Sequence, residues 1–255
     1  MIDLTDVHAH VLPEIDDGAK NVETSLEMLR ESKRQGVETV IATSHCYAQT
    51  EQDIACFIKK RRESFEILQE AISKSGEKLP EIRLGSEVHL GVDISKFERL
   101  EELCIDKTDY ILLEMPYRAW NMNLYDAIYG IMLRGMKPVM AHIERFYDHE
   151  KEFENLVDLE LLYQINADSF VKPGIRRVIP YFFKNRMVQF VGSDMHNTDS
   201  RPTNIQNAYR AIEEMYGSEC AEYLKKNAEL LLENKMPDSA LFKKKNILSR
   251  VFKSK

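Results

Sequence analysis

The sequence predicts an α/β fold in which a closed or nearly closed barrel of seven parallel strands carries its chemistry at one end. Three observations lead there. Seven short apolar runs, at residues 4–7, 37–43, 82–88, 110–113, 139–141, 161–165 and 188–192, alternate with segments of helical periodicity. Polar sequence follows each run, and in order the run ends supply His8 with His10, then His45, Glu87, Glu114, His142, Asn166, and Asp194 with His196. Side chains at the carboxyl ends of successive parallel strands converge, so a ring of strands gathers these groups better than an open sheet does.

The elements follow in order. The first run leads into His8-Ala9-His10, and alternate residues of an extended chain share a face, so both imidazoles point the same way. In the next loop Asp16 and Asp17 precede Gly18, either as a simple turn or with one carboxylate facing the cluster. Val22, Leu26 and Leu29 form one apolar helix face behind Asn21 as N-cap, and Gly36 closes that helix. The second run ends at His45. Ile54, Phe57, Ile58, Phe65, Leu68 and Ile72 mark a longer helix closed by Gly76. Glu87 and Glu114 follow apolar stretches where an ionised glutamate is costly unless paired or metal-bound. Helical stretches at 96–103, 124–134, 153–159, 176–184 and 205–216, the last continuing to 233, separate the remaining runs. His142 ends the fifth run. Asp194-Met195-His196 ends the last one and repeats the spacing of the first histidine pair, which makes a chance pairing much less plausible than for a lone HxH.

Composition narrows the function. At 255 residues, 44% hydrophobic and 30% charged, the chain suits one large domain over residues 1–240, followed by a basic tail at 241–255. A net charge of -7 argues against nucleic-acid binding, which needs a basic surface. Asp3 and Asp6 interrupt the only apolar stretch near the start that could serve as a secretory signal, and no run approaches the roughly 20 apolar residues of a membrane helix. Cys46, Cys56, Cys104 and Cys220 form no CxxC pair, so neither a thiolate metal site nor a disulfide framework is indicated and a cytoplasmic setting is expected.

Taken together, Asp6-Val-His-Ala-His10 with Asp16-Asp-Gly18, Ala42-Thr-Ser-His45, Gly85-Ser-Glu87, Leu113-Glu-Met-Pro116, Ala141-His-Ile-Glu-Arg145 and Ser193-Asp-Met-His-Asn197 resemble the motifs of the PHP superfamily, named for polymerase and histidinol phosphatase domains. Within it the chain is most similar to the manganese-dependent protein-tyrosine phosphatases encoded with bacterial capsule and exopolysaccharide systems. The resemblance runs from residue 1 to about residue 216. It implies a distorted (β/α)7 barrel holding up to three ions, Mn²⁺ first, with Fe or Zn²⁺ compatible with the same nitrogen and oxygen donors. Carried over position by position, it implies a first ion on His8, His10 and Asp194, with Glu87 bridging to a second that also takes Glu114 and His142, and a third on Asp17, His45 and His196. Arg145 and Arg201 match the phosphate-binding arginines. The natural substrate it implies is a phosphotyrosine protein, a membrane-associated tyrosine autokinase of polysaccharide assembly, met in the cytoplasm or transiently at the inner face of the membrane.

The residues themselves fit that chemistry. Four carboxylates against three divalent ions leave a formal charge of about +2, which attracts a phosphate monoester. Metal-activated water would attack phosphorus in line, and bidentate guanidinium groups match phosphoryl oxygens as lysine cannot. Histidinol phosphate or another small phosphomonoester is the alternative substrate. A non-catalytic, metal-stabilised kinase-binding module is the alternative of another class. An amidohydrolase also begins with HxH and ends with Asp, but Glu87 and the paired Asp194 and His196 favour the phosphoesterase. Cys56 and Arg62 have the spacing of a cysteine phosphatase, yet both fall inside an amphipathic helix with no glycine to shape a phosphate loop.

Around the site, Tyr47, Phe146 and Phe170 are candidates for packing against a substrate ring, with ordinary packing the commoner fate of each, and residues 115–120 read as an aromatic lip or a structural loop. His89 and His149 match no ligand position and read as surface residues. Lys243, Lys244, Lys245, Arg250, Lys253 and Lys255 give the tail a charge suited to anionic lipid or an acidic partner.

Overall fold

A computed structural model describes residues 3–117, 120–149, 156, 159 and 161–237. Most of the helix expected at 153–159, and all of the basic tail, lie outside the described residues.

Seven parallel staves form the expected ring, and two of them are broken. The staves are β1 (Leu4–Ala9), β2 (Val37–Ala42) continued as β3 (His45–Cys46), β4 (Glu81–Leu84) continued as β5 (Glu87–His89), β6 (Tyr110–Glu114), β7 (Lys137–Met140), β8 (Leu162–Asn166) and β9 (Phe190–Gly192). All their pairings are parallel and join neighbours in chain order. The breaks at Thr43-Ser44 and Gly85-Ser86 divide the strands into a three-stranded sheet, β1-β2-β4, and a six-stranded sheet, β3-β5-β6-β7-β8-β9. Chain just past β9 then returns to β1, where Asp194 N donates to His8 O at 2.7 Å and His10 N to Met195 O at 2.9 Å. The sheet therefore curls until its last edge meets its first.

The helices cover the outside. They are α1 (Val22–Arg34), α2 (Glu51–Ser75), α3 (Met122–Leu133), α4 (Ala167–Val171), α5 (Pro173–Arg176), α6 (Ile179–Lys184), α7 (Ile205–Tyr216) and α8 (Ser218–Leu232). Asn21 caps α1 through Thr24 N as expected, while Thr50 and Asp53 form a reciprocal capping box on α2. Gly76 ends α2 in the left-handed region at φ 65°, which glycine adopts without steric cost.

Three expected helices differ. Residues 96–103 hold only 3₁₀ turns, Ile94–Lys96 and Leu100–Leu103, because Phe97 between them is extended. The stretch at 176–184 divides into α5 and α6. Pro180 sits in the first turn of α6, where its missing N–H costs nothing but could not have continued a preceding helix. The continuation beyond 216 is interrupted by Gly217, whose φ of 91° separates α7 from α8.

The two ends of the barrel have opposite characters. At the amino-terminal ends of the strands, Ala228 and Leu231 of α8 join Val7, Ile41, Tyr110, Leu112, Val139 and Phe190 in a cluster sealed from water. Polar ties hold the helix there: Asn227 donates to Gln189 O at 3.0 Å, and Lys137 Nζ reaches Asn234 O at 2.8 Å. Burying apolar surface at about 25 cal/mol per Å² makes this plug a substantial share of the stability. The carboxyl-terminal ends are left to polar groups.

Gly192 shows how closely β9 and β1 approach. A Cβ there would lie 2.5 Å from His8 Cβ and 3.1 Å from Gln164 Nε2. Gly192→Ala should destabilise the fold by about 1–3 kcal/mol through overpacking. A melting temperature equal to that of the wild type would show that the seam is looser than described.

Candidate metal centre

The broken staves position the first ligands. Glu87 N donates to Thr43 O and Ser44 O at 3.2 and 3.1 Å across the two breaks, and β3 and β5 restart with His45 directly opposite Glu87. The same register sets His89 opposite Glu114. His142 and Asp194 follow β7 and β9 with positive φ values of 33° and 54°. Such non-glycine residues cost on the order of 1–3 kcal/mol each and persist where surrounding structure enforces them.

Glu87 occupies the middle of the arrangement and is fully buried. Its Oε2 lies 3.2 Å from both His8 Nε2 and His10 Nε2 and 2.9 Å from His45 Nδ1, and its Oε1 lies 2.6 Å from His142 Nε2. Asp194 Oδ1 stands 3.5 to 3.6 Å from His10, His8 and His196. Asp17 Oδ1 is 3.4 Å from His45 Nε2 and 3.3 Å from His196 Nε2. Donor atoms fall into three groups, each spanning no more than 4.8 Å: His8, His10, Glu87 and Asp194; His10, Asp17, His45 and His196; and His45, Glu87 and Glu114. His142 stands beside the third group, 4.0 Å from Glu114 Oε1. All nine expected metal residues thus meet at one end of the barrel.

The donor chemistry fits divalent ions. His8 Nε2 and His10 Nε2 face each other at 3.2 Å. Each ring is fixed from behind, since Gln164 Oε1 accepts from His8 Nδ1 at 3.0 Å and Asp16 Oδ2 accepts from His10 Nδ1 at 2.8 Å. Both Nε2 lone pairs then point inward, an arrangement that repels unless a cation lies between them. His45 Nδ1, Glu87 Oε2, His142 Nδ1 and His196 Nε2 are buried without a well-aligned hydrogen bond, although His45 Nδ1 and Glu87 Oε2 stand only 2.9 Å apart, and a coordinated ion would satisfy them. Burial alone would raise the Glu87 and Asp194 carboxyls, yet the adjoining histidines, and Arg145 beside Asp194, hold both well below the usual carboxylate range. Burial would lower His8 and His10, but Glu87 and Asp194 raise His8, and Asp16, with Asp194 and Glu87, raises His10. The cluster thus demands positive charge, supplied by protons or by metal, and metal binding would release protons. Burial and the neighbouring His10 push His196 down to about 4, leaving a neutral imidazole ready to coordinate.

Exposure rises towards the opening. Arg145 and Arg201, with side chains 32% and 38% exposed, both reach Asp194, and Arg201 Nη2 lies 3.0 Å from each of its oxygens. Asp17, at 64%, is the outermost carboxylate. Two guanidinium groups, both paired with Asp194, therefore border the cluster on its solvent side.

Several expectations are corrected here. Phe146 and Phe170 are fully buried in the core, so neither meets a substrate; Phe146 packs between Tyr117 and Trp120, and Trp120 is itself buried with Nε1 donating to Pro116 O. Only Tyr47 and Tyr117 remain exposed. His89 is half-buried rather than a free surface residue, and its Nδ1 lies 3.2 Å from Glu114 Oε2. The side chain of His149 lies outside the described residues. Cys56 is an exposed residue of α2 and belongs to no donor group.

Supporting residues were harder to read. Gln164 binds His8, accepts from His142 N at 2.8 Å and donates to Asn166, which donates in turn to Asp194. The available signal was a Gln and an Asn two apart on one face of an apolar strand. Asp16 braces the site by accepting from His10, Gly18 N and His45 N. Asp16→Ala should weaken metal binding about 10- to 100-fold, the usual cost of losing such a brace, in a titration followed by calorimetry. Unchanged affinity would remove Asp16 from the support of the site.

The family model described as capsular polysaccharide synthesis, CpsB/CapC, matches residues 4–233. Tyrosine-protein phosphatase CpsB of Streptococcus pneumoniae is 32% identical over 248 residues, covering 91% of this chain and 96% of that protein. Tyrosine-protein phosphatase YwqE of Bacillus subtilis is 32% identical over 241 residues, covering 91% and 92%. A crystal structure from work on YwqE and CpsB, described as unique metal-dependent tyrosine phosphatases, superposes with a TM-score of 0.80 at 28% identity over 92% of this chain and 96% of that one.

Proposed function

We infer the function from one premise: the chain belongs to the CpsB/CapC family of capsular polysaccharide synthesis. It is a metal-dependent protein-tyrosine phosphatase, hydrolysing a phosphoric monoester. The observation that carries this reading is the buried carboxylate Glu87 set among four imidazoles, with two arginines on the open side.

In this reading His8, His10 and Asp194 would hold one ion, Glu87, Glu114 and His142 a second, and Asp17, His45 and His196 a third. The nitrogen and oxygen donors, without thiolate, suit Mn²⁺, Fe or Zn²⁺ alike, and the resemblance to manganese-dependent phosphatases puts Mn²⁺ first. Bound divalent ions supply Lewis acidity that activates water and offsets phosphoryl charge. The remaining work falls to the chain. Gln164 and Asp16 keep His8 and His10 in one tautomer and one orientation. Arg145 and Arg201 grip the equatorial phosphoryl oxygens, where planar guanidinium groups stabilise charge as it shifts in the transition state. A tyrosine phenol, with a pKa of about 10, leaves without strong protonation, so no dedicated general acid is required.

The family's tie to capsule synthesis supports a tyrosine autokinase of polysaccharide assembly as the substrate, dephosphorylated at the cytoplasmic face of the membrane. Among the described residues no helix is long and apolar enough to cross a membrane. The basic sequence at 241–255, with Lys243, Lys244, Lys245, Arg250, Lys253 and Lys255, suits an anionic surface.

Chelation should abolish hydrolysis of a phosphotyrosine peptide and added Mn²⁺ should restore it, whereas iodoacetamide or Cys56→Ser should leave it intact. Loss of activity on alkylation, with the fold preserved, would count against metal chemistry. Arg145→Ala and Arg201→Ala should each lower kcat/KM by about 10² or more at unchanged metal content, the scale of losing one transition-state donor. Wild-type kinetics in either variant would exclude that arginine from the mechanism.

A further inference from the structure

Beside the metal centre lies a cleft of about 710 Å³ that the phosphoryl chemistry does not use. Three consecutive strand ends build both. β3 supplies His45 to the centre, and the chain after it reaches the cleft at Gln49; β5 supplies Glu87 and then His89 to Asp93; β6 supplies Glu114 and then Pro116 and Asn121. His89 belongs to both places, lining the cleft while contacting Glu114. Tyr47, 60% exposed, stacks on His45 with ring centres 5.1 Å apart and lies 5.5 Å from His89, so an aromatic edge marks the passage from one to the other.

The lining specifies an occupant. Leu90, Val92 and Leu124 are apolar, and Val92 and the neighbouring Met122 are among the large hydrophobic residues left exposed. Gln49, Asn121 and Asn123 bring side-chain amides, which pair equally well with backbone N–H and C=O groups. Asp93 and Asp126 outnumber Lys96, so the cleft repels polyanions. Its size lies within the range of ligand pockets, yet the centre alone suffices for a phosphoryl group. Mixed amide and apolar walls, joined by an aromatic edge to a phosphotyrosine centre, suit extended polypeptide.

We propose that this cleft, shared through His89 with the metal centre, binds the polypeptide segment flanking the phosphotyrosine and makes the enzyme selective for protein over small aryl phosphates. The proposal rests on the phosphatase reading.

The test uses the full-length, Mn²⁺-loaded protein with p-nitrophenyl phosphate, free phosphotyrosine and an eight-residue phosphotyrosine peptide as substrates, and Val92→Glu and Asn123→Ala as variants. Wild type should favour the peptide over free phosphotyrosine by at least tenfold in kcat/KM. Val92→Glu should lose about tenfold on the peptide, and Asn123→Ala about threefold, with p-nitrophenyl phosphate turnover within twofold of wild type. By fluorescence polarisation, a labelled peptide bearing a non-hydrolysable phosphonate should bind each variant more weakly by the same factors. Unchanged peptide kinetics and binding in both variants, with the aryl phosphate still hydrolysed, would overturn the groove and leave the phosphatase standing. Failure of the wild type on every substrate would sink both.

Discussion

The carboxyl end of the barrel is organised around one costly interaction, the burial of Glu87 among imidazoles. An ionised carboxylate without water needs compensating positive charge, and most of the surrounding architecture can be understood as supplying or orienting it. Breaks in two staves bring His45 and Glu87 into register, left-handed turns follow β7 and β9 at His142 and Asp194, and Gln164 with Asp16 hold two of the rings from outside. An apolar residue at position 87 would relieve the cost and remove the reason for all of these arrangements.

The barrel's opposite end allows this. There α8 closes the strand starts with ordinary apolar packing, Ala228 and Leu231 against Val7, Leu112 and Phe190. Stability accumulates at that end, and the other can tolerate strained backbone, unpartnered nitrogens and concentrated negative charge. The division follows from parallel topology, since every strand starts at one end and delivers its last residue to the other.

Legibility in the sequence follows the same division. Strand ends could be read because the change from apolar to polar residues is local, and the nine residues taken from position and motif meet at one end of the barrel. Breaks within staves could not be read, because Gly85-Ser86 lies inside the run at 82–88 and Thr43-Ser44 stands where the run at 37–43 simply turns polar. Phe146 and His89 are hard to place for a related reason: proximity in sequence to a ligand gives no indication of depth, and Phe146 turns into the core while His89 leans onto Glu114. Aromatic residues near a site are core at least as often as they are substrate contacts, and only the three-dimensional path of the chain separates the two. Gln164 carried a faint signal, a polar residue in a buried strand, which gains meaning once its partners His8 and His142 are known to be neighbours.

The seam between β1 and the residues after β9 has a consequence for how the protein comes into being. Asp6 and Ser193, which bond across it, are 187 residues apart in the chain. During synthesis His8 and His10 leave the ribosome long before Asp194 and His196, so an incomplete chain carries a half-built cluster of histidines and acids. Closure of such a long loop is slow and late in folding. A divalent ion present in the cell can therefore be captured fully only by a chain that has finished its last stave, and metal retention becomes a signature of completed folding.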